Sequence, residues 1–460
     1  MRARACLALP SVALVLWFAG CGDVVAQPIG DGPGQDGGSD SPFASDGFPP
    51  GDGDSVGDGA SFCTGTGPIQ LPGSDECTGD LAHLFRFAAC ACTSLAVSGL
   101  LLTDSFDSTS DAGPAGQNAA SIAGDTTTTI NAMTTVGGSV WAGGQGVTPG
   151  MPAVTLLGSG TIARDVQSGG DLQVGGIYQV AGDVYAEGNV DIPSGGSLSV
   201  LGAVYVPVGD TATGVTTGGG VQTGAVQVPQ PCDCSSPVDI ASIVSARQNS
   251  NDDAALPLSV SAFDQPSPTV QLPCGQYWVD GMSGSGTVTL DVLGRVVLFV
   301  GGDVSIEQLT IQLGTPEAEL DLFVDGSVQI LGSTSIGDKN APARVRMYVS
   351  GTSFTLSADA SIGANVYAPN AVVALASSFE MWGSIFAQQL QFSGDFTIHY
   401  DTSVLQQPGC TPPGTPCTTC DNCSGATPAC KDGTCVPCVT SADCCAPLAC
   451  SSGACVLEAQ

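Results

Sequence analysis

Basic residues are scarce. Lys and Arg together number 10 in 460 residues, against 43 Asp and Glu, leaving a net charge of −33. A field of that sign repels phosphate, which argues against nucleic acid and anionic lipid headgroups as partners. Histidine is scarcer still, with two copies, His83 and His399. A Ser-His-Asp hydrolase needs an imidazole beside an activated serine, and no Gly-x-Ser-x-Gly elbow lies near either histidine. His399, at the end of the last repeat, reads as structural. Long apolar runs are missing beyond the N-terminus, so attachment to a membrane would have to go through lipid.

What is abundant is Gly (63) and Pro (30), with Val, Leu, Ala and Ile in short stretches. That balance favours short strands joined by many turns. At the N-terminus, Arg2 and Arg4 precede an apolar stretch from Leu7 to Phe18, the pattern of a signal peptide over residues 1–20. Phe18-Ala-Gly-Cys21 resembles a bacterial lipobox, with Phe18 where Leu is usual; the resemblance implies that Cys21 is diacylated. Residues 21–61 form a disordered acidic linker of Gly, Asp, Pro and Ser with no Lys or Arg. Gly51 to Gly59 suggests a calcium loop, but it lacks the ligand spacing of an EF-hand and reads as tether.

Export makes the cysteines readable as disulfides. Seven lie in the body: Cys63, Cys77, Cys90, Cys92, Cys232, Cys234 and Cys274. Eleven follow in a cystine-rich module over residues 410–460: Cys410, Cys417, Cys420, Cys423, Cys430, Cys435, Cys438, Cys444, Cys445, Cys450 and Cys455. The ten from Cys417 onward are an even set, which leaves Cys410 to pair with the body. Cys417-x2-Cys-x2-Cys-x6-Cys430 lacks the spacing and the proline of a ferredoxin cluster, so the reading is disulfides without metal or cofactor. The stretch Cys438 to Cys455 is similar to small Dickkopf-type or knottin-like units.

The repeats carry the fold argument. Val184-Tyr-Ala-Glu-Gly-Asn-Val-Asp-Ile192 alternates strictly, and Leu298 to Ile306 and Leu322 to Ile330 repeat the pattern in register. Looser copies begin at Val140, Thr161, Val204, Met347, Val366 and Ile385. Spacings of about 20 residues correspond to one coil of a parallel β-helix with two or three strands per coil. A sandwich of hairpins would instead show two-residue turns. The fold class is therefore mainly β: a solenoid with coils over 136–207 and 297–409, preceded by a Cys-bearing segment over 62–135. An insertion over 208–296 carries a helix over 237–249, with Ser236 as N-cap and Ile240, Ile243, Val244 and Arg247 on one face. That helix either flanks the solenoid or closes one end.

Stacking in register places Trp141, Tyr185, Tyr205, Phe299, Phe323, Tyr348, Tyr367 and Phe386 in one outward row. Two readings stay open: rings covered by the helix or the N-terminal segment, or an exposed ligand face. Asp171, Asp183, Asp303 and Asp395 each follow Gly at a corner and read as turn chemistry; Asn251-Asp-Asp253 lies in a loop after the helix. Polygalacturonase-like enzymes would add Gly-His-Gly and Arg-x-Lys strings, and both are missing.

Four strings, Phe85-Arg-Phe-Ala-Ala-Cys-Ala-Cys92, Thr103-Asp-Ser-Phe-Asp-Ser108, Val366-Tyr-Ala-Pro-Asn370 and Ile398-His-Tyr-Asp401, resemble an uncharacterised β-helical domain of myxobacterial-type surface lipoproteins. The resemblance spans about Cys77 to Leu405 and implies a fold and a location without an activity. A more distant similarity is to bactofilin-type β-helices, which lack disulfides and export signals. The sequence thus points to a non-enzymatic, lipid-anchored surface or outer-membrane protein with a structural or adhesive role. Expected partners are a membrane through the lipid and envelope polysaccharide or a surface protein. A polysaccharide-processing β-helix enzyme is the alternative.

Overall fold

The computed structural model describes residues 62, 63, 67, 84–109, 119–235, 237–256, 258–263 and 265–406, with short pieces of the C-terminal module at 429–431, 434–436, 444, 448–451 and 454–457. The signal peptide, Cys21, the linker to residue 61, Cys77 and Cys410 lie outside the described residues. In the C-terminal module, Ala429–Lys431 pairs antiparallel with Thr434–Val436, and Leu448–Ser451 with Ala454–Leu457.

The body is a three-sided parallel β-solenoid. Along its first face thirteen strands stack in unbroken parallel register, from Gly275–Val279 at what we term the lower end to Val221–Thr223 at the upper end. Alternation sends every second side chain inward. Val166, Val184, Val204, Leu298, Leu322, Met347, Val366 and Ile385 therefore stack in the lumen, all buried. Each such aliphatic side chain contributes roughly 1.5–3 kcal/mol on burial, offset by the cost of ordering the coil.

Chain order and stacking order differ. The first coil, Ala89 to Phe106, lies between the coil that begins at Ile122 and the last coil, with Ala89 opposite Ile385, Leu95 opposite Leu390 and Leu101 opposite Phe396. The chain climbs the upper half from residue 89 to 223 and returns along the outside. It then enters the lower end and climbs again until residues 385–401 meet the first coil. The coils are thus more extensive than the repeats show: they begin at Ala89 rather than 136, and Thr269–Leu272, Gly275–Val279 and Met282–Val292 belong to the column rather than to an insertion. The copy read at Thr161 lies on the third face; the matching first-face strand is Val166–Ser168, with Gln167 opposite both Trp141 and Tyr185.

Corners are held by carboxylates and glycines. Asp165 Oδ1 accepts from the Asp183 N–H (2.8 Å), and Asp183 Oδ1 accepts from the Ala203 N–H one coil further (2.7 Å). Asp171 and Asp303 make the same coil-to-coil bracket to Asn189 and Ser327, both at 2.8 Å. Gly144 has φ +69°, and a Cβ there would stand 1.9 Å from the Gly169 carbonyl oxygen, so only glycine fits the turn.

The return segment carries one helix, α1 (Ile240–Arg247), on the flank of the column. It starts later than Pro237 suggests. Asp239 is the N-cap, its side chain accepting from the Ser242 N–H at 3.1 Å; Ser236, the cap expected from the sequence, lies outside the described residues. Ile240, Ile243 and Val244 are buried against the column.

Candidate interaction surfaces

The ring row exists and is covered. On the first face the register runs Trp278, Phe299, Phe323, Tyr348, Tyr367, Phe386, Cys90, Ala123, Trp141, Gln167, Tyr185, Tyr205. Rings stack from coil to coil, Phe323 on Tyr348 at 4.6 Å and Tyr185 on Tyr205 at 4.8 Å between centroids. Phe299, Phe323, Tyr348, Tyr367 and Phe386 are buried, and Trp141 nearly so. Of the two readings of the row, covered rings and a ligand face, these six residues follow the first. Tyr185 and Tyr205, on the upper coils, are half-buried.

The cover is the return segment, which crosses the face rung by rung. The Val228 N–H donates to Glu187 Oε1, and the indole N–H of Trp141 donates to the Pro229 carbonyl at 3.1 Å. Disulfides Cys90–Cys232 and Cys92–Cys234 follow at the first coil. The Val238 N–H then donates to the Tyr367 hydroxyl at 3.2 Å, and α1 packs on the strands Glu319–Val324 and Arg295–Val300. Asp252 and Asp253 end the crossing as acceptors for the Gln276 and Trp278 N–H groups, at 2.8 and 2.9 Å. The loop acids therefore tie the return segment to the lowest coil. Cys63–Cys274 adds a third bridge at that end. In the tail, Cys444 is also disulfide-bonded; the pairing of Cys77, Cys410 and the other tail cysteines lies outside the described residues.

Beside the buried rings lies an ion network. Arg346 reaches Asp321 at 2.6 Å and Glu319 at 3.1 Å and also donates to the Ala343 carbonyl. Burial opposes the Arg346 charge, but Asp321 outweighs it and holds the guanidinium protonated. Glu319 accepts the Gly67 N–H, while Arg295 donates to the Phe62 and Gly67 carbonyls and packs over the Phe62 ring. These charges are engaged in holding covering segments in place.

The seam between first and last coils gathers three of the four strings noted in the sequence. Thr103 lies opposite Ile398, Asp104 opposite His399 and Phe106 opposite Asp401. The Tyr400 hydroxyl donates to the Phe85 carbonyl at 2.7 Å. Asp401, wholly buried, accepts from the Ser108 and Ser403 hydroxyls, each at 2.7 Å. His399 bridges two carboxylates, Asp104 at 2.7 Å and Glu380 at 3.4 Å, with its ring stacked on Trp382. Those contacts raise its pKa, the hydrogen bond to Asp104 foremost. The histidine thus clasps three successive coils. The tight Asp104–His399 pairing could be anticipated only by knowing that residue 104 stacks on residue 399.

A domain-family model described as a domain of unknown function (DUF7305) matches residues 235–407. No curated protein and no solved structure matches the chain. The DUF7305 match begins in the return segment just before α1 and ends after the last coil, so it covers the lower half of the column, and the upper coils from Ala89 to Thr223 lie outside it. Among the described residues no helix is long and apolar enough to cross a membrane, and no cluster of three His, Cys, Asp or Glu side chains is set to hold a metal. The disulfides fit an exported, extracellular setting.

Proposed function

We propose that this chain is a lipid-anchored cell-surface protein whose solenoid is a rigid presenter rather than a catalyst. The observation that carries the reading is the use made of its polar side chains. Asp165, Asp171, Asp183, Asp252, Asp253 and Asp303 each accept a backbone N–H, most across one coil, and Asp321 and Glu319 are matched with arginine. Carboxylates committed in this way stiffen a column, and these eight are not free to serve as the acid–base pair that glycoside chemistry uses. Three disulfides and a strapped flank suit a part that works outside the cell. Cys21 would supply the anchor and residues 22–61 the tether, with the solenoid or the cystine-rich tail meeting envelope polysaccharide or a surface protein.

The test is fractionation of the full chain beside Cys21→Ala in a Gram-negative host. Wild type should sediment with membranes and be reached by protease added to whole cells, whereas Cys21→Ala should be released in soluble form. A full chain that stays in the cytosol with reduced cysteines would end this reading. Binding to whole cells, compared with a variant lacking residues 417–455, then tells whether solenoid or tail makes the contact.

A further inference from the structure

The third face of the upper half differs from the rest of the surface. Strands Met133–Val136, Ser159–Ile162, Ile177–Val180, Ser197–Val200 and Val215–Thr217 stack there in parallel register. One outward row is Met133, Ser159, Ile177 and Ser197; the next is Thr135, Thr161, Gln179, Ser199 and Thr216. None of these nine side chains ionises, in a chain of net charge −33. Apolar side chains are exposed on it as well, with Met133 65%, Ile177 64% and the corner residue Leu201 60% exposed. No described segment crosses this face, unlike the strapped first face.

The occupant follows from charge and area. Four residues of strand by five coils give a flat patch of about 300 Å² from strand rise and strand spacing. A stable protein interface needs about 800 Å² on each partner, so a second copy or another folded protein would gain too little here. Two copies would also meet with like charges of large magnitude. A linear polymer has no such requirement, because it gains contacts coil after coil along a regular array. Hydroxyl and amide side chains at intervals of roughly 4.8 Å offer donors and acceptors to sugar hydroxyls, and Met133, Ile177 and Leu201 offer apolar surface to the C–H faces of pyranose rings. Absence of charge on the patch selects against acidic glycans, which the remainder of the chain repels.

We infer that this face binds an uncharged linear polysaccharide lying along the column. The inference rests on the surface-presenter reading and narrows its partner. The test is affinity electrophoresis of the full mature chain through gels containing hydroxyethylcellulose, dextran or polygalacturonate. Retardation by at least one neutral glucan and none by polygalacturonate is expected. Ile177→Asp and Thr161→Asp, both outward substitutions, should each weaken apparent affinity at least ten-fold with near-UV circular dichroism unchanged, and Tyr185→Ala on the first face should not. Failure of both neutral glucans to retard the protein overturns the inference, as does equal retardation by polygalacturonate or retained binding in Ile177→Asp. A dimer in sedimentation equilibrium that Ile177→Asp dissolves would instead assign the face to a second copy. A chain that reaches the cell surface yet fails these gels sinks the glycan assignment alone; one that never leaves the cytosol sinks the reading beneath it.

Discussion

Cys90 occupies the rung directly above Phe386, so a half-cystine continues the row of stacked rings. Its bond to Cys232 fastens the return segment at the seam where the two halves of the column meet, and Cys92–Cys234 repeats the bond one step along. Both bridges have a sequence separation of 142 and join the same two segments. Loop closure is therefore secured by whichever bridge remains. Replacing Cys92 and Cys234 by Ala should cost less than about 1 kcal/mol, and the Cys90/Cys232 pair somewhat more because both are buried. Removing both bridges should cost about 2–5 kcal/mol, the usual penalty for freeing a long loop. Denaturant midpoints of the three variants check this; a sum of two equal, additive losses would contradict it.

The buried ion network makes a second prediction. Arg346→Ala leaves Asp321 without its partner in an apolar setting, and breaking a buried pair in this way costs about 3–5 kcal/mol. Replacing both at once, Arg346→Met with Asp321→Leu, should recover most of that loss, because the desolvation of both charges is removed together. Thermal unfolding of the single and double variants measures it. If the double variant is as unstable as Arg346→Ala, the pair contributes by shape rather than by charge compensation.

These relationships show which parts of the molecule were legible in the chain. The coils could be read because inward Val184, Leu298 and Leu322 recur at one spacing, and the lumen demands that alternation of every coil. Stacking of Phe323 on Tyr348 followed from the same register. Burial of those rings did not, because it depends on the path of the return segment, which has no period of its own. The first coil is not legible in the sequence for a different reason: its lumen carries Thr103 and Ser105, and the Thr103 hydroxyl is satisfied by the Ala120 carbonyl at 2.8 Å. Polar residues in a lumen blur the alternation that identifies a coil. The seam, joining residues almost 300 positions apart, leaves no local trace. The uncharged third face was present in the sequence as outward Met, Ile, Ser and Thr, but only register places them side by side.

Asp125 offers a pH-dependent test. Its carboxylate accepts the Cys232 N–H at 2.9 Å, yet burial pushes its pKa up from the ordinary 3.8 to about 6. The folded protein therefore holds a proton that the unfolded chain releases at lower pH, and this group favours folding at acid pH and loses that contribution as pH rises through about 6. Asp125→Asn keeps the acceptor and removes the charge. It should raise stability by on the order of 1–3 kcal/mol at pH 8 and change little at pH 4. Unfolding curves across that range decide it; an equal effect at both ends would mean that the carboxyl is not titrating.

The clasp at His399 acts in the same direction at higher pH. Its pKa is raised above the ordinary 6.5, first by the hydrogen bond to Asp104, then by the charges of Asp104 and Glu380, against the opposing effect of burial. A raised histidine stabilises the fold fully below the unfolded pKa, and the contribution disappears as pH rises through the folded value. Lys339 sits over the Trp382 ring that stacks on His399. NMR titration of the imidazole resonances should place one of the two histidines above 6.5, and His399→Gln should remove that signal. Asp104→Asn should lower the remaining value and shift the upper limb of the stability profile to lower pH, since the first coil then loses its ionic hold on the last. A titration unmoved by Asp104→Asn would show that the contact across the seam does not set the protonation of His399.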